Sequence, residues 1–236
     1  MSHLESGFCV TDLKSLDEVL KEQCPELELV QQKTYRTWAA DNGTLVGDYP
    51  LPSLYQLKLM IALKKQGVDV HAKAKAVGVE LPANLAELET KPWNLEQQNR
   101  LRKDPTFQKA YDALNRDVVG KDAKYVIRYK AGKGPAKAYE VGVVQHPLRE
   151  GEYVMLTDFY AEGNGLLKAK GLGQTVNKPD GSVSWGGQLK QAYAARAAER
   201  SIQQQINEGN PEFGSYTKQV LPDGKIKIEV HPREGF

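Results

Sequence analysis

Four groups of residues in this 236-residue chain have types and spacings that could do chemistry. The first is Gly132-Lys133-Gly134-Pro135, whose backbone N–H groups and lysine could cradle an oxyanion. It lacks the G-x-x-x-x-G-K-[ST] spacing and no helix start follows, so it reads as a connector between two strands. The second is Gly163-Asn164-Gly165, Lys168, Lys170 and Gly171-Leu172-Gly173, between a strand and a helix, where anion sites form. It does not reproduce G-x-G-x-x-G, and two readings stay open: a loop ordered by a partner, and a solvated linker. The third interleaves aromatic and basic side chains in Tyr35-Arg36-Thr37-Trp38 and in Tyr125-Val126-Ile127-Arg128-Tyr129-Lys130. Strand alternation puts Arg128 and Lys130 on one face and Tyr125, Ile127 and Tyr129 on the other. Such a sheet can stack bases and touch phosphates through Arg36, Trp38 and Tyr129. The simpler reading turns the aromatic face to a core and the charges to water. The fourth is Asp158, at a strand end, a general base on one reading and a turn residue on the other.

Other chemistry lacks its residues. His3, His71, His146 and His231 are dispersed, with no H-x-x-x-H or H-E-x-x-H, which argues against a metal site. There is no G-x-S-x-G nucleophile elbow. Cys9 and Cys24 are too far apart for a CxxC element and read as two reduced thiols. No cofactor is expected.

The elements around these groups follow from period and punctuation. Gly7 to Val10 reads as a strand, and Thr11 or Asp12 can cap a helix with Leu13, Leu16, Val19 and Leu20 on one stripe. Two strands are expected next, Leu27 to Val30 and Lys33 to Trp38, before the Asp41-Asn42-Gly43 turn. Ser53 can cap a periodic helix that stops at Gly67. A short helix is expected within 68–77, a third from Leu81 to Leu85 onward, and a stretch from Asn94 to Asn115 broken at Asp104-Pro105. The period returns to two from Lys124, with strands at Tyr125–Tyr129, Tyr139–Val144 and Tyr153–Phe159. A long helix from Gln188 to about Asn207 follows, with Lys190, Arg196 and Arg200 as a solvated edge. Tyr216–Leu221 and Lys225–Val230 then form a hairpin through Asp223-Gly224.

Composition is that of a soluble globular protein, with 40% apolar and 26% charged residues, and no apolar run approaches a membrane span. No secretory leader is visible at Met1. The net charge of +2 is unevenly placed. Residues 1–49 carry 4 basic and 9 acidic side chains, whereas residues 50–124 carry 13 basic and 9 acidic. A basic middle permits an anionic partner, though dedicated nucleic-acid modules are more basic than this.

Both ends of the chain carry a shared order of short motifs. Met1-Ser2-His3-Leu4 precedes a helix beginning Asp12-Leu13, and Tyr139-Glu140-Val141-Gly142 precedes the strand Tyr153 to Asp158. The terminal block has Gln191-Ala192-Tyr193-Ala194 on a helix and Asp223-Gly224 in a hairpin. In these residues the chain resembles the family called hypothetical chloroplast reading frame thirty-five, a plastid and cyanobacterial domain of unknown function. The resemblance covers residues 1–40 and 138–230 and leaves the helical middle, which roughly doubles the length, unaccounted for. It brings no catalytic residues. It implies an accessory or adaptor role beside an AAA+ ATPase.

The expectation is therefore an α+β protein: a small mixed or antiparallel sheet, helices Leu13–Glu22 and Gln188–Asn207 packed on one face, and a helical insertion. Residues 1–49 and 125–236 would form the core and 50–124 the insertion. The function expected is non-catalytic binding or adaptor work with a protein partner, in the cytoplasm or, for a plastid-encoded chain, the stroma, with no membrane role. Arg128, Lys130, Lys168 and Lys170 are the candidates for contacting an anionic partner. The alternatives are a nucleic-acid-binding sheet using Arg36, Trp38 and Tyr129, and an enzyme with its site under the 162–187 loop and Asp158 as base.

Overall fold

The computed structural model describes residues 4–37, 50–135, 138–158, 187–221 and 226–233. Trp38, Lys168, Lys170, the Asp41-Asn42-Gly43 and Asp223-Gly224 turns and the glycine-rich loop lie outside the described residues. The chain is α+β, and it folds as two compact units, residues 1–11 with 29–166 and residues 12–28 with 167–236. This division falls elsewhere than at 49/50 and 124/125: the helical middle belongs to the first unit.

A five-stranded sheet has the order β1–β5–β4–β3–β2, with β1 at Leu4–Val10, β2 at Leu27–Val30, β3 at Ala123–Tyr129, β4 at Val141–Gln145 and β5 at Tyr153–Asp158. The pairs β1·β5, β5·β4 and β4·β3 are antiparallel. The segment 33–37, expected as a strand, is not one. It is held instead by isolated backbone bonds, Tyr35 N to Gly120 O at 3.0 Å and Glu140 N to Arg36 O at 2.8 Å.

The helical middle of the first unit contains α2 (Ser53–Lys65), α3 (Val70–Ala76), a 3-10 turn at Leu85–Glu89, α4 (Leu95–Leu101) and α5 (Pro105–Asp117). Its punctuation follows local chemistry. Gly67, with φ of 79°, takes the left-handed turn that stops α2. Pro105 opens α5 rather than merely breaking a longer helix, and Asp104 accepts from Thr106 N and Phe107 N as its cap. Ser53 does not cap α2; Pro52 precedes it without a side-chain cap. Leu54, Tyr55, Gln56, Leu57, Leu59, Met60 and Leu63 are all buried, so α2 is covered on most sides, as a core helix must be. Its apolar residues form one cluster with Leu88, Phe107, Tyr111 and the sheet residues Val126, Val144, Val154 and Leu156. Removing one such side chain, as in Met60→Ala, costs about 2–5 kcal/mol.

The expected two-faced β3 does not hold throughout. A register shift between Ala123 and Tyr125 precedes Val126 and Ile127, and both of those neighbours are fully buried. Alternation puts them on opposite faces, so both faces of β3 are covered at its centre.

In the second unit, α1 (Leu13–Gln23) packs with α6 (Gly187–Asn207). Asp12 caps α1, accepting from Lys14 N and Ser15 N, and its own N–H donates to Tyr193 Oη at 3.0 Å. Arg196 and Arg200 are not a solvated edge. Arg196 reaches Glu22 at 2.6 Å and Glu18 at 3.5 Å, and Arg200 reaches Asp12 at 3.1 Å. The acidic amino end is thus compensated across a helix pair, each exposed ion pair contributing about 0.2–1 kcal/mol. A two-stranded sheet, β6 (Ser215–Val220) with β7 (Ile226–His231), completes this unit.

One close approach in the first unit is decisive. Tyr35 lies against Gly142 on β4, where an added Cβ would sit 2.6 Å from the tyrosine ring. Gly142→Ala should therefore destabilise the protein by about 1–3 kcal/mol, because the buried ring has no open space to move into. Urea denaturation of the two proteins measures this, and an unchanged midpoint would contradict the contact.

Candidate functional site

The aromatic-basic residues are placed one by one. Arg128, half-buried, donates to Gln32 Oε1 at 3.0 Å. Lys130 is exposed just beyond β3. Tyr129 has Gly134 against its ring: a Cβ at that glycine would fall 2.1 Å from the ring, so the 132–135 connector folds over the aromatic face. Arg36 is half-buried, with its backbone N–H donating to Glu140 Oε2 at 2.8 Å. The structure brings Arg128 to Gln32 and the backbone of Arg36 to Glu140.

Two polar clusters that sequence reasoning missed lie inside the first unit. In the first, Tyr55 donates to Asp122 Oδ1 at 3.0 Å, and Tyr35 Oη lies 2.9 Å from Tyr55 Oη. Tyr55 has one hydroxyl hydrogen and gives it to the carboxylate, so Tyr35 is the donor of the second bond. Lys58 closes the cluster with an ion pair to Asp122. Burial, with the Asp122 charge adding to it, pushes both phenols well above their ordinary value and keeps them neutral hydrogen-bonding groups. The legible signal was Tyr55-Gln56 within an otherwise apolar helical run.

The second cluster surrounds Arg149 in the β4–β5 turn. Its Nη1 and Nη2 bind Glu89 at 2.9 and 2.7 Å, and its Nε binds Glu152 at 2.6 Å. These hydrogen bonds hold Glu89 below the usual carboxylate range and raise Arg149 further. Nη2 also lies 3.8 Å from the sulfur of Cys9, whose thiol burial pushes up. His146 Nδ1 accepts from Leu148 N and Arg149 N, both at 3.1 Å, which leaves the proton on Nε2. Nε2 sits 3.1 Å from Glu89 Oε1 but off line for a hydrogen bond, an electrostatic contact rather than an aligned one. Burial lowers the His146 pKa, more than Glu89 raises it. A histidine with Nδ1 bound to backbone and its side chain enclosed is placed to shape a turn, not to exchange protons with a ligand.

A pocket of about 420 Å³ lies on the helical middle, lined by His71, Lys75, Gly78, Val79, Glu80 and Leu81. Val79 and Leu81 are buried and give it an apolar floor, while Lys75 and Glu80 are exposed at its rim. His71 is oriented by a 3.0 Å contact of Nε2 with Pro82 O. Asp69 caps α3, and Lys73 ties that helix to Asp104 at 2.9 Å, so the wall carrying Lys75 is fixed at both ends. No group of residues able to hold a metal ion occurs among the described residues, and no helix among them is long and apolar enough to cross a membrane.

Two measurements check these clusters. Tyr55→Phe should cost more stability than Tyr35→Phe, by about 1–2 kcal/mol, because the first leaves the Tyr35 hydroxyl buried without its acceptor and the second removes the stranded group itself. Equal losses in chemical denaturation would refute the donor order. The lowered pKa of His146 means that the unfolded chain binds the extra proton more readily. Its stabilising contribution is therefore present above the unfolded value of about 6.5 and is lost as pH falls below it. Denaturation midpoints should fall between pH 7.5 and about 5.5 in the wild type. His146→Asn, whose Oδ1 can accept the same turn N–H groups, should lose that part of the slope; identical slopes would exclude His146 as its source.

No family model, curated protein or solved structure matches this chain.

Proposed function

We propose that this chain is a non-catalytic binding protein, an adaptor that takes up an acidic-apolar segment of a protein partner on its helical middle. The observation supporting this is the pocket along α3. Its size suits one or two side chains, its floor of Val79 and Leu81 is apolar, and Lys75 stands at its rim along with Glu80. Nearby cations differ in availability. Lys58, Lys73, Lys91 and Arg100 have acidic partners, whereas Lys64 and Lys65 in the last turn of α2 and Lys75 on α3 are exposed. The basic excess of the middle segment is thus displayed beside the pocket in sequence, at the end of one helix and along the next. An AAA+ ATPase, the partner class implied by the sequence resemblance, is the first to test.

The anion-contact reading of Arg128 and Lys130, with Lys168 and Lys170 outside the described residues, draws less support, because Arg128 already engages Gln32. The nucleic-acid reading through Arg36, Trp38 and Tyr129 is weakened by the connector lying on the Tyr129 ring.

Affinity purification from the native host tests the proposal, with wild type, Lys75→Glu and Arg128→Gln as baits. A protein partner should be recovered with wild type and Arg128→Gln and lost with Lys75→Glu. Its binding should weaken by about tenfold or more as salt rises from low to physiological strength, since exposed charges are screened beyond a Debye length. Affinity unchanged by salt, or a partner retained by Lys75→Glu, would overturn it. Recovery of nuclease-sensitive nucleic acid alone would move the function to the β3 surface.

A further inference from the structure

The β6–β7 hairpin sorts its side chains by face. The pairs Tyr216↔Val230, Lys218↔Ile228 and Val220↔Ile226 share one face, and Ser215↔His231, Thr217↔Glu229 and Gln219↔Lys227 share the other. The first is apolar except for Lys218, which reaches Glu199 of α6 at 2.5 Å as a charge contact rather than an aligned bond. Covering is incomplete, with Val220 65% and Val230 36% exposed. The sheet has two strands, so among the described residues the outer edge of β7 pairs with no strand. An edge of this kind presents a row of backbone donors and acceptors to another strand.

We propose that this edge is a homodimer interface: β7 pairs antiparallel with β7 of a second copy, about a two-fold axis at Ile228, to make a continuous four-stranded sheet. The argument is the order of residues in Ile226-Lys227-Ile228-Glu229-Val230. Centred on Ile228, the register sets Lys227 opposite Glu229 of the partner copy twice, Ile228 opposite Ile228, and Ile226 opposite Val230. Every apolar residue meets an apolar one and every charge its opposite. Shifting the axis to Lys227 sets lysine against lysine, and shifting it to Glu229 sets glutamate against glutamate. Odd shifts set apolar against charged positions and reverse the faces. Charge complementarity therefore selects one register. In the single chain, Lys227 and Glu229 form an exposed ion pair at 3.3 Å and are available to exchange that contact for an intermolecular one. The β6 edge lacks this property: Lys218 is its only charged residue, so no register sets opposite charges against each other. The two-fold pairing is isologous and closes at two copies. The inference is independent of the pocket on α3, which lies on the other unit.

Sedimentation velocity on the full chain tests it with charge exchanges at exposed positions. Wild type should show a concentration-dependent dimer. Lys227→Glu places glutamate against glutamate and Glu229→Lys places lysine against lysine, so each alone should weaken the dimer by about ten- to thirty-fold. The double exchange Lys227→Glu/Glu229→Lys should restore it. An equimolar mixture of the two single variants should associate, because each edge then meets its complement. Circular dichroism establishes that all variants are folded. A wild type that stays monomeric overturns the proposal. So does a dimer indifferent to the exchanges, which would use another surface, and so does an open series of larger oligomers, which a closed two-fold edge cannot produce. Association of the hairpin with an extended segment of another protein, without self-association, likewise overturns it.

Discussion

The burial of α2 on nearly every side sets the terms for the first unit. A helix in that position can carry polar groups only if each finds a partner, since an unpaired buried donor or acceptor costs about 1–3 kcal/mol. Gln56 meets the condition by donating to Leu51 O at 2.7 Å and Trp93 O at 3.1 Å and by accepting from Trp93 N at 2.7 Å. One amide thus joins the entry of α2 to the segment before α4. Tyr55 meets it through Asp122 and Tyr35, which carries the connection to β4 by way of Gly142. The helical middle and the sheet are joined by the same few polar side chains that the apolar cluster surrounds.

The same constraint explains where the reactive side chains went. Ionisable side chains gathered within a few ångströms often signal a site, and both inner clusters are of that kind, Tyr35, Tyr55, Lys58 and Asp122 in one and Glu89, His146, Arg149 and Glu152 in the other. Here most of their hydrogen-bonding capacity is taken up by backbone and by one another, His146 Nε2 keeping only an electrostatic contact with Glu89. Arg149 fastens the β4–β5 turn to the 3-10 turn through Glu89, and His146 holds the turn's own N–H groups. Among the described residues the surface carries features of a different kind: an apolar-floored pocket with Lys75 and Glu80 at its rim, and a hairpin edge with alternating charge. The proposals of partner binding and of self-association rest on these two features.

Much of the local structure was legible. Asp12, Gly67 and Asp104-Pro105 act through nearest neighbours, so the local sequence was enough to mark the element ends there. Residues 33–37 do not form the expected strand because a β-rich composition describes a residue's preference for a half-buried extended setting, which Tyr35 found by lying on Gly142 rather than by joining a ladder. The ion pairs of Arg196 and Arg200 replace the expected solvated edge, and they are not legible locally because their partners, Glu18, Glu22 and Asp12, are more than 170 residues away in sequence.

By itself, the sequence determined the α+β class, most element boundaries and the pairing of the terminal hairpin strands, because these depend on propensity, caps and period within a few residues. Only the tertiary structure decided that Glu89, His146, Arg149 and Glu152 meet, that Tyr35, Tyr55 and Asp122 share a proton-bonded chain, and that Lys75 stands over buried Val79 and Leu81. Side-chain chemistry of this kind depends on distance in space and on which groups lose water, and neither quantity is a function of spacing along the chain.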